Sequence, residues 1–188
     1  KIKAFTKSEA DGLVKSIRNP SIRLCVLIAL NTGMRFSEIG GLTWKDIDFF
    51  NRTITVNKQW GKRQDGTTGF KVPKSKNSYR TLHLTAGLSA ELLKWKDSRP
   101  ISIDGRILPT ITNCHHEVNK AISSFKPGMH IHSLRHTFAT LLLSETQDIN
   151  LVAAVLGDTP ATVSRVYVHY TQDIRKKAND YIDAIFGS

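Results

Sequence analysis

The sequence predicts an α+β fold that is mostly helical and carries one small antiparallel sheet of about three strands. Apolar residues recur at helical spacing before residue 32 and again after residue 85. Alternating β-type patterns occur between residues 53 and 84, among turn-forming Gly, Pro and Asn. The chain has 188 residues, 40% of them apolar, which is enough to bury a core. We therefore expect one domain over residues 1–188.

The first elements are expected to be helices with clear start and stop signals. Thr6 and Glu9 have capping-box spacing, and Asn19 with Pro20 interrupts the helix that follows them. The next helix is apolar nearly all round, which predicts burial, and Gly33 is a natural left-handed terminator for it. We predict helices over residues 7–17, 21–31 and 37–42.

The middle of the chain is expected to form the sheet. Residues 53–56 alternate in the β manner. Residues 58–69 are polar, basic and glycine-containing, and we predict a mobile hairpin loop there. Residues 70–73 and 78–84 are the following strands, joined by residues 74–77.

From residue 85 the periodicity returns to helix. One helix ends before Arg99, and residues 101–108 read as a loop or short extended piece. Further helices are predicted over residues 113–125, 133–144, 149–156, 161–170 and 173–186.

Charge and composition narrow the possible partners. The 27 basic and 16 acidic residues give a net charge of +11, which favours a polyanionic partner such as nucleic acid over a merely soluble basic protein. No apolar run reaches the length of a membrane span, and the N-terminus does not resemble a signal peptide. Cys25 and Cys114 form no cysteine framework, so we expect an intracellular chain without structural zinc. Because it begins without Met, we expect it to be a piece of a longer protein.

Three residue types near the C-terminus suit metal-independent attack on a phosphodiester. A phenol supplies the nucleophile, a guanidinium balances the non-bridging oxygens, and an imidazole donates hydrogen bonds or protons. His132 and Arg135 are three residues apart and face one direction if the segment is helical. Tyr167 follows in a polar, basic setting with Arg165 and His169.

Four motifs, in this order along the chain, resemble those of the tyrosine recombinase (phage integrase) family. The first reads NTGMRFSEI and is followed by LTWKDID. By resemblance, Arg35 contacts the scissile phosphate and Glu38 is its acidic partner. A guanidinium suits this role because it grips two oxygens and stays charged. The bland alternative is a surface arginine at a helix start.

The second motif, PKSKNSYRTLHL, resembles the family's β-hairpin with its catalytic lysine. The match favours Lys74 as the general acid that protonates the departing 5′ oxygen, although Lys76 lies close enough to compete. The alternative is that both lysines merely contact backbone phosphates.

The third motif, HSLRH, resembles the family's His-x-x-Arg box. It implies that Arg135 is the second phosphate clamp and that His132 donates to the phosphate or helps to take the tyrosine proton. His136 is expected to point elsewhere and to be structural. Histidine clusters could instead hold a metal, but no convincing acidic or cysteine ligand accompanies them, so we expect neither a metal nor a cofactor. The clusters are His130 with His132 and His136, and His115 with His116 and Glu117.

The fourth motif contains the proposed nucleophile. The segment SRVYVHYT resembles the family's nucleophile segment, with Tyr167 as nucleophile and Tyr170 as the packing or DNA-contacting alternative. Just before it, LGD departs from the family's commoner Leu-Gly-His. Ionised Asp158 cannot donate a hydrogen bond. Its remaining roles are to orient Arg135 or a histidine, to accept the tyrosine proton, or to act in protonated form beside the phosphate.

The resemblance covers residues 5–185 and implies the catalytic-domain fold of a site-specific DNA recombinase, with the N-terminal DNA-binding domains outside this chain. It would cleave and rejoin DNA through a 3′-phosphotyrosine, for integration or excision of a mobile element. Alternatives are a Xer-like resolvase, a type IB topoisomerase-like enzyme, a non-catalytic basic DNA-binding module and, last, a metal nuclease. Expected partners are double-stranded DNA, further copies of the chain (a tetramer on DNA) and accessory DNA-bending proteins, in a prokaryotic cytoplasm and away from membranes. The expected DNA contacts are Lys58, Lys62, Arg63, Lys71, Arg80, Arg165 and His169.

Overall fold

The computed structural model describes residues 3–73, 75–167, 182 and 184–185. Within them the helices are α1 (Lys7–Ser16), α2 (Pro20–Thr32), α3 (Phe36–Gly41), α4 (Ala86–Asp97), α5 (His115–Phe125), α6 (Ile131–Thr146), α7 (Ile149–Leu156) and α8 (Pro160–Val166). The strands are β1 (Ile47–Asp48), β2 (Thr53–Val56), β3 (Gln59–Lys62), β4 (Thr68–Lys71) and β5 (Arg80–His83). The mostly helical α+β prediction is confirmed.

The predicted helix signals act as expected at the N-terminal end. The Thr6 hydroxyl accepts from the Glu9 N–H, and the Glu9 carboxylate accepts from the Thr6 N–H, which completes the capping box of α1. Asn19 caps α2, whose first residue is Pro20. Gly33 ends α2 in the left-handed conformation with φ of 63°.

Helix α2 is the centre of the main core. It packs against α1, α3, α4, α5 and α6, and its all-round apolar sequence is explained by these neighbours. Fully buried side chains around it include Leu13, Ile28, Ile39, Leu92 and Leu134. A second apolar cluster joins α6, α7 and α8 through Leu143, Leu156, Val163 and Tyr167. The two clusters meet along α6, so α6 connects the N-terminal elements with the segment that carries Tyr167.

The sheet differs from the predicted one in its pairing. β2 lies between β1 and β5, with Ile54 opposite both Ile47 and Leu82. The predicted strand at residues 70–73 instead belongs to a separate hairpin, in which β4 pairs with β3. The predicted mobile loop over residues 58–69 therefore contains the whole of β3. The Trp60 and Phe70 rings, stacked edge to face, stabilise this hairpin and explain why a polar segment is ordered as strand.

The connection from α4 to α5 lies beside the end of α3. The Ile107 N–H donates to the Leu42 carbonyl, and the Trp44 N–H donates to the Gly105 carbonyl. Of the two predicted alternatives, a loop or a short extended piece, residues 101–108 form the loop, with an isolated β-bridge between Arg106 and Thr43. The predicted helix over residues 161–170 is described only as far as Tyr167, and the one over residues 173–186 falls almost entirely outside the described residues.

None of the helices described here has the length and apolar character required to cross a lipid bilayer.

Candidate active site

Five of the six residues expected to act in catalysis line one cleft of about 240 Å³. Its walls come from the N-terminal end of α3, one face of α6, the turn between α7 and α8, and the end of α8. The lining residues are Arg35, His132, Arg135, His136, Leu156, Asp158, Thr162, Val163, Val166 and Tyr167. The fold thus brings together groups from three of the four motifs.

Arg35 is held at the mouth of the cleft by its own helix. It is the residue immediately before α3, and its backbone N–H donates to the Glu38 carboxylate at 2.8 Å. Its Nη1 donates to Glu38 Oε1 at 3.3 Å, whereas Nη2 donates to Asp158 at 2.5 Å. With 31% of the side chain exposed, the guanidinium can still be reached by a ligand.

Arg135 is anchored more deeply than Arg35. Its Nη1 donates to the Gly33 carbonyl at 2.7 Å, and its Nη2 donates to the Leu156 carbonyl at 2.9 Å. Both carbonyls lie at the C-terminal ends of helices, where they have no partner within the helix. Burial, together with the positive charge of Arg35, lowers the pKa of Arg135 from its ordinary value, yet a guanidinium remains a cation at neutral pH.

Asp158 lies between the two arginines. Its Oδ1 accepts from Arg35, and its Oδ2 accepts from Arg135 Nη2 at 2.6 Å. Of the roles left open for this residue, the geometry supports orienting an arginine, and it does so for Arg35 as well as Arg135. In the described part of the chain, no hydrogen bond joins Asp158 to Tyr167 or to a histidine.

Glu38 is a buried carboxylate that accepts hydrogen bonds from Arg35 and Arg80. Arg80 Nη1 and Nη2 donate to its two oxygens, each at 3.0 Å. Burial by itself would raise the pKa of Glu38, but the hydrogen bonds and charge of Arg80, with smaller help from Arg35, outweigh burial and lower the pKa. A fully buried carboxylate is thus kept ionised by two cations.

Arg80 does not fit its predicted role as a DNA contact. Its side chain is only 6% exposed, and its Nε donates to the Val155 carbonyl at 2.7 Å. The residue begins β5, from where its side chain turns inward to Glu38 rather than outward. Arg80 is therefore a buried structural partner of Glu38. The sequence could not reveal this, because the two residues belong to different elements.

Tyr167 is buried at the base of the cleft, with 3% of its surface exposed. Burial raises the pKa of its phenol to about 12; the nearby Arg135 lowers it in part, and Asp158 adds to the rise. Tyr167 Oη lies 2.9 Å from His136 Nδ1, and the tautomer of the imidazole decides which group donates. Among the described residues, the phenol is thus buried next to a neutral base.

His136 was expected to point away from the site, and this prediction is wrong. It lines the cleft and hydrogen-bonds Tyr167. Burial, and then the positive charges of the neighbouring His132 and Arg135, lower the pKa of His136 to about 4. The signal that could have found it is its spacing from His132: residues four apart share a helix face, and the two rings are 4.9 Å apart.

His132 lies at the exposed rim of the cleft. Partial burial and the positive charges of Arg135, His130 and Arg35 lower its pKa below the usual 6.5, so it is largely neutral at pH 7. Within the described residues, no group of three His, Cys, Asp or Glu side chains is arranged to hold a metal ion.

The lysine of the second motif falls outside what can be described here. Lys74 is not among the described residues, whereas Lys76 is exposed on a short 3₁₀ turn, Lys76–Ser78, just before β5.

The remaining candidate DNA contacts fall into three groups. Lys62, Arg63 and Arg165 are exposed, and Lys71 is half-buried on the β3–β4 hairpin. Lys58 forms an ion pair with the buried Asp46, with its Nζ 2.5 Å from Oδ2. His169 lies outside the described residues. Of these candidates, Lys62 and Arg63 of the hairpin and Arg165 of α8 are exposed to a phosphate backbone, although Arg63 Nε also donates to the Phe70 carbonyl at 3.2 Å.

The sequence of this chain is similar to those of known recombinases. The profile of the "Phage integrase family" matches residues 3–173. A tyrosine recombinase XerC of Pediococcus pentosaceus is 32% identical over 169 residues, covering 88% of this chain and 54% of the relative. The transposase from transposon Tn916 of Enterococcus faecalis is 26% identical over 170 residues, covering 79% of this chain and 42% of the transposase. The chain spans about half the length of the curated relatives it matches.

Solved structures share the fold. The Tn1549 transposon integrase (residues 82–397), in complex with circular intermediate DNA, superposes with a TM-score of 0.75 at 19% identity, over 95% of this chain and 66% of the integrase chain. The catalytic domain of bacteriophage HP1 integrase superposes with a TM-score of 0.64 at 20% identity, over 100% of this chain and 99% of that domain.

Proposed function

Because the chain belongs to the phage integrase family of tyrosine recombinases, we propose that residues 1–188 are the catalytic domain of a site-specific DNA recombinase. It would break and rejoin DNA strands to integrate or excise a mobile element. The observation that carries the proposal is that Arg35, Arg135 and Tyr167 line the same cleft. The match of the whole chain to an integrase catalytic domain supports the domain assignment.

The proposed reaction is an in-line exchange at phosphorus. Arg35 and Arg135 hold the non-bridging oxygens and neutralise charge as it develops. The Tyr167 Oη attacks, a bond from phosphorus to the phenol oxygen forms, and the bond to the 5′ oxygen breaks. The product is a 3′-phosphotyrosine and a free 5′ hydroxyl. Because the phosphodiester energy is kept in the covalent link, the reverse reaction rejoins DNA without ATP.

Two proton transfers accompany this exchange. The phenol must lose its proton, and neutral His136, 2.9 Å from Oη, is placed to take it, with His132 available at the rim. The departing 5′ oxygen must gain one, and we assign Lys74 as donor from the family resemblance, with Lys76 as the competing group. Glu38 supports the reaction indirectly by holding Arg35.

The burial of Tyr167 implies that the free protein is not ready to react. A phenol with a pKa of about 12 is almost entirely protonated at neutral pH, and at 3% exposure it cannot meet a DNA phosphate. DNA binding must therefore move α8 or open the cleft before attack.

The proposed substrate and partners follow from the charge and the relatives. Double-stranded DNA suits a chain of net charge +11, and a relative of the same fold is described in complex with DNA. The DNA contacts would be Lys62, Arg63 and Lys71 of the β3–β4 hairpin and Arg165 of α8. We also assign His169 as a contact, from the motif that resembles the family's nucleophile segment. We further propose that four copies assemble on paired DNA sites, with accessory DNA-bending proteins, in a prokaryotic cytoplasm.

Covalent trapping tests the reaction and the nucleophile together. The chain is incubated in EDTA with a pool of nicked suicide duplexes of randomised sequence, and adducts are resolved on a denaturing gel. We expect an adduct with the wild type and with Tyr170→Phe, and none with Tyr167→Phe. Loss of the adduct in Tyr170→Phe alone would move the nucleophile by three residues. If duplexes from the selected pool bind but form no adduct, the chain is a non-catalytic DNA-binding module instead.

A further inference from the structure

One carboxylate occupies the space between the two arginines of the cleft. Arg35 Nη2 donates to Asp158 Oδ1 at 2.5 Å, and Arg135 Nη2 donates to Oδ2 at 2.6 Å. Each oxygen of a planar anion is thus held by a different guanidinium. The proposed reaction requires the same arrangement for the two non-bridging oxygens of a phosphodiester.

From this coincidence we propose that Asp158 is an internal stand-in for the scissile phosphate. It holds the anion position of Arg35 and Arg135 until DNA displaces it, and so sets the affinity of the arginine pair for phosphate. The inference rests on the proposed function, because it takes the arginine pair to be the phosphate clamp.

The carboxylate and a phosphate cannot share this position. Two anions held by the same guanidinium nitrogens repel each other, and exclusion of water strengthens the repulsion. Arg135 cannot swing away to meet a phosphate elsewhere, because its side chain is 5% exposed and its Nη atoms are fixed by the carbonyls of Gly33 and Leu156. Binding of a phosphate between the arginines therefore requires Asp158 to leave.

Asp158 is the member of this group that can move at low cost. Its side chain is 22% exposed, and it lies in the turn that follows Gly157, between α7 and α8. Its backbone N–H is bonded to the Ala153 carbonyl, independently of the side chain. A side-chain rotation toward solvent therefore releases both arginines and leaves the turn intact.

Titration with inorganic phosphate tests this directly on the whole chain. Asp158→Asn keeps the shape of the side chain and removes its charge. The matched control is Asp104→Asn, since Asp104 pairs with Arg106 at 2.6 Å and lies outside the cleft. By calorimetry we expect Asp158→Asn to bind phosphate about tenfold more tightly than the wild type, and Asp104→Asn to match the wild type. Equal or weaker binding by Asp158→Asn, or no measurable binding by any of the three proteins, would overturn the proposal.

A second measurement on the wild type covers the case in which Asp158→Asn fails to fold. During phosphate titration, the ¹³C resonance of the Asp158 carboxylate should shift together with the side-chain ¹⁵N resonances of Arg35 and Arg135. Arginine shifts without any change at Asp158 would show that phosphate binds while the carboxylate stays in place, and would refute the displacement. Absence of the Tyr167 adduct would refute the recombinase function and would leave the phosphate-binding result unchanged. A failure of the proposed function can therefore be told apart from a failure of the displacement proposal.

Discussion

At the scale of single residues, the group with the largest expected effect is the carboxylate of Glu38, which does not line the cleft. Glu38 has a fully buried side chain, accepts two hydrogen bonds from Arg80 and also accepts from the Arg35 backbone and side chain. Removing one partner of a buried ion pair leaves the other charge uncompensated, which costs more than the pair contributes. Both the stability of the fold and the position of Arg35 therefore depend on Glu38.

Glu38→Gln should lower the free energy of unfolding by about 3 kcal/mol, because Arg80 loses its counter-charge in a buried place. Urea unfolding at pH 7 measures this loss. Glu145→Gln, an exposed glutamate near the end of α6, should stay within about 0.5 kcal/mol of the wild type. A similar small effect for both variants would show that the buried ion pair contributes little.

His136 makes stability depend on pH in a defined window. Its pKa is about 4 in the folded chain and has the ordinary value of 6.5 in the unfolded chain. Between these two pH values the unfolded chain therefore binds one more proton than the folded chain. The contribution of His136 to the free energy of unfolding is therefore fully present above the unfolded pKa of 6.5, and it is lost as the pH falls toward 4. We expect a loss on the order of 1 to 2 kcal/mol between pH 7 and 4.5, allowing for partial solvent exposure.

Urea unfolding across this pH range, with His136→Gln, measures the contribution. The variant should show a clearly flatter profile, with a residual slope from His132, whose pKa is also lowered. The exposed His116 supplies a matched control, since His116→Gln should leave the profile of the wild type unchanged. If His136→Gln retains the full slope, the buried imidazole of His136 is not the source of the pH dependence.

At the scale of elements, the C-terminal ends of α2 and α7 provide the carbonyls that hold the guanidinium of Arg135. Gly33 and Gly157 both end their helices in the left-handed conformation, with φ of 63° and 68°. The Gly33 carbonyl, and the Leu156 carbonyl just before Gly157, accept from Arg135. Helix termination and guanidinium binding are thus one structural feature, because the carbonyls that the helices leave unpaired are the ones that the arginine uses.

Gly33→Ala should destabilise the chain by about 3 kcal/mol, through the strained φ and a crowded Cβ. A Cβ at this position would lie 2.6 Å from Phe138 Cδ1 and 2.8 Å from Leu156 Cδ2. Gly87→Ala is the control: nothing lies within 4 Å of its Cβ, and alanine favours the helix by up to about 1 kcal/mol. Thermal unfolding should therefore move in opposite directions for the two variants, and a shared direction would contradict this account of Gly33.

At the scale of the whole molecule, the excess of positive charge should govern DNA binding. A net charge of +11 attracts duplex DNA of any sequence, and each neutralised phosphate contributes about −0.9 to the slope of log affinity against log salt. A chain that binds mainly through such contacts should lose most of its affinity between low and high salt. Affinity that does not change with salt would contradict a phosphate-backbone mode of binding.

One exposed residue of the β3–β4 hairpin allows this slope to be dissected. Arg63→Gln should make the slope shallower by about 0.9, because one phosphate contact is lost. Lys94→Gln removes the same charge from α4, where the lysine pairs with Glu91, and should leave the slope unchanged. Fluorescence anisotropy with a labelled duplex over a series of salt concentrations measures both. Equal slopes for the two variants would remove the hairpin from the DNA interface.

Local signals in the sequence were sufficient to predict the helix boundaries near the N-terminus, the spacing of the His-x-x-Arg box and the family. The capping box at Thr6 and Glu9, the terminator at Gly33 and the spacing of His132 and Arg135 depend on residues a few positions apart, so local chemistry encodes them. The order of the four motifs was enough to indicate the family. Only the tertiary structure decided that Arg80 turns inward to Glu38, that β5 pairs with β2, that His136 meets Tyr167, and that Asp158 lies between the two arginines. These contacts join distant parts of the chain, and periodicity shows which face of an element is buried without showing which partner covers it.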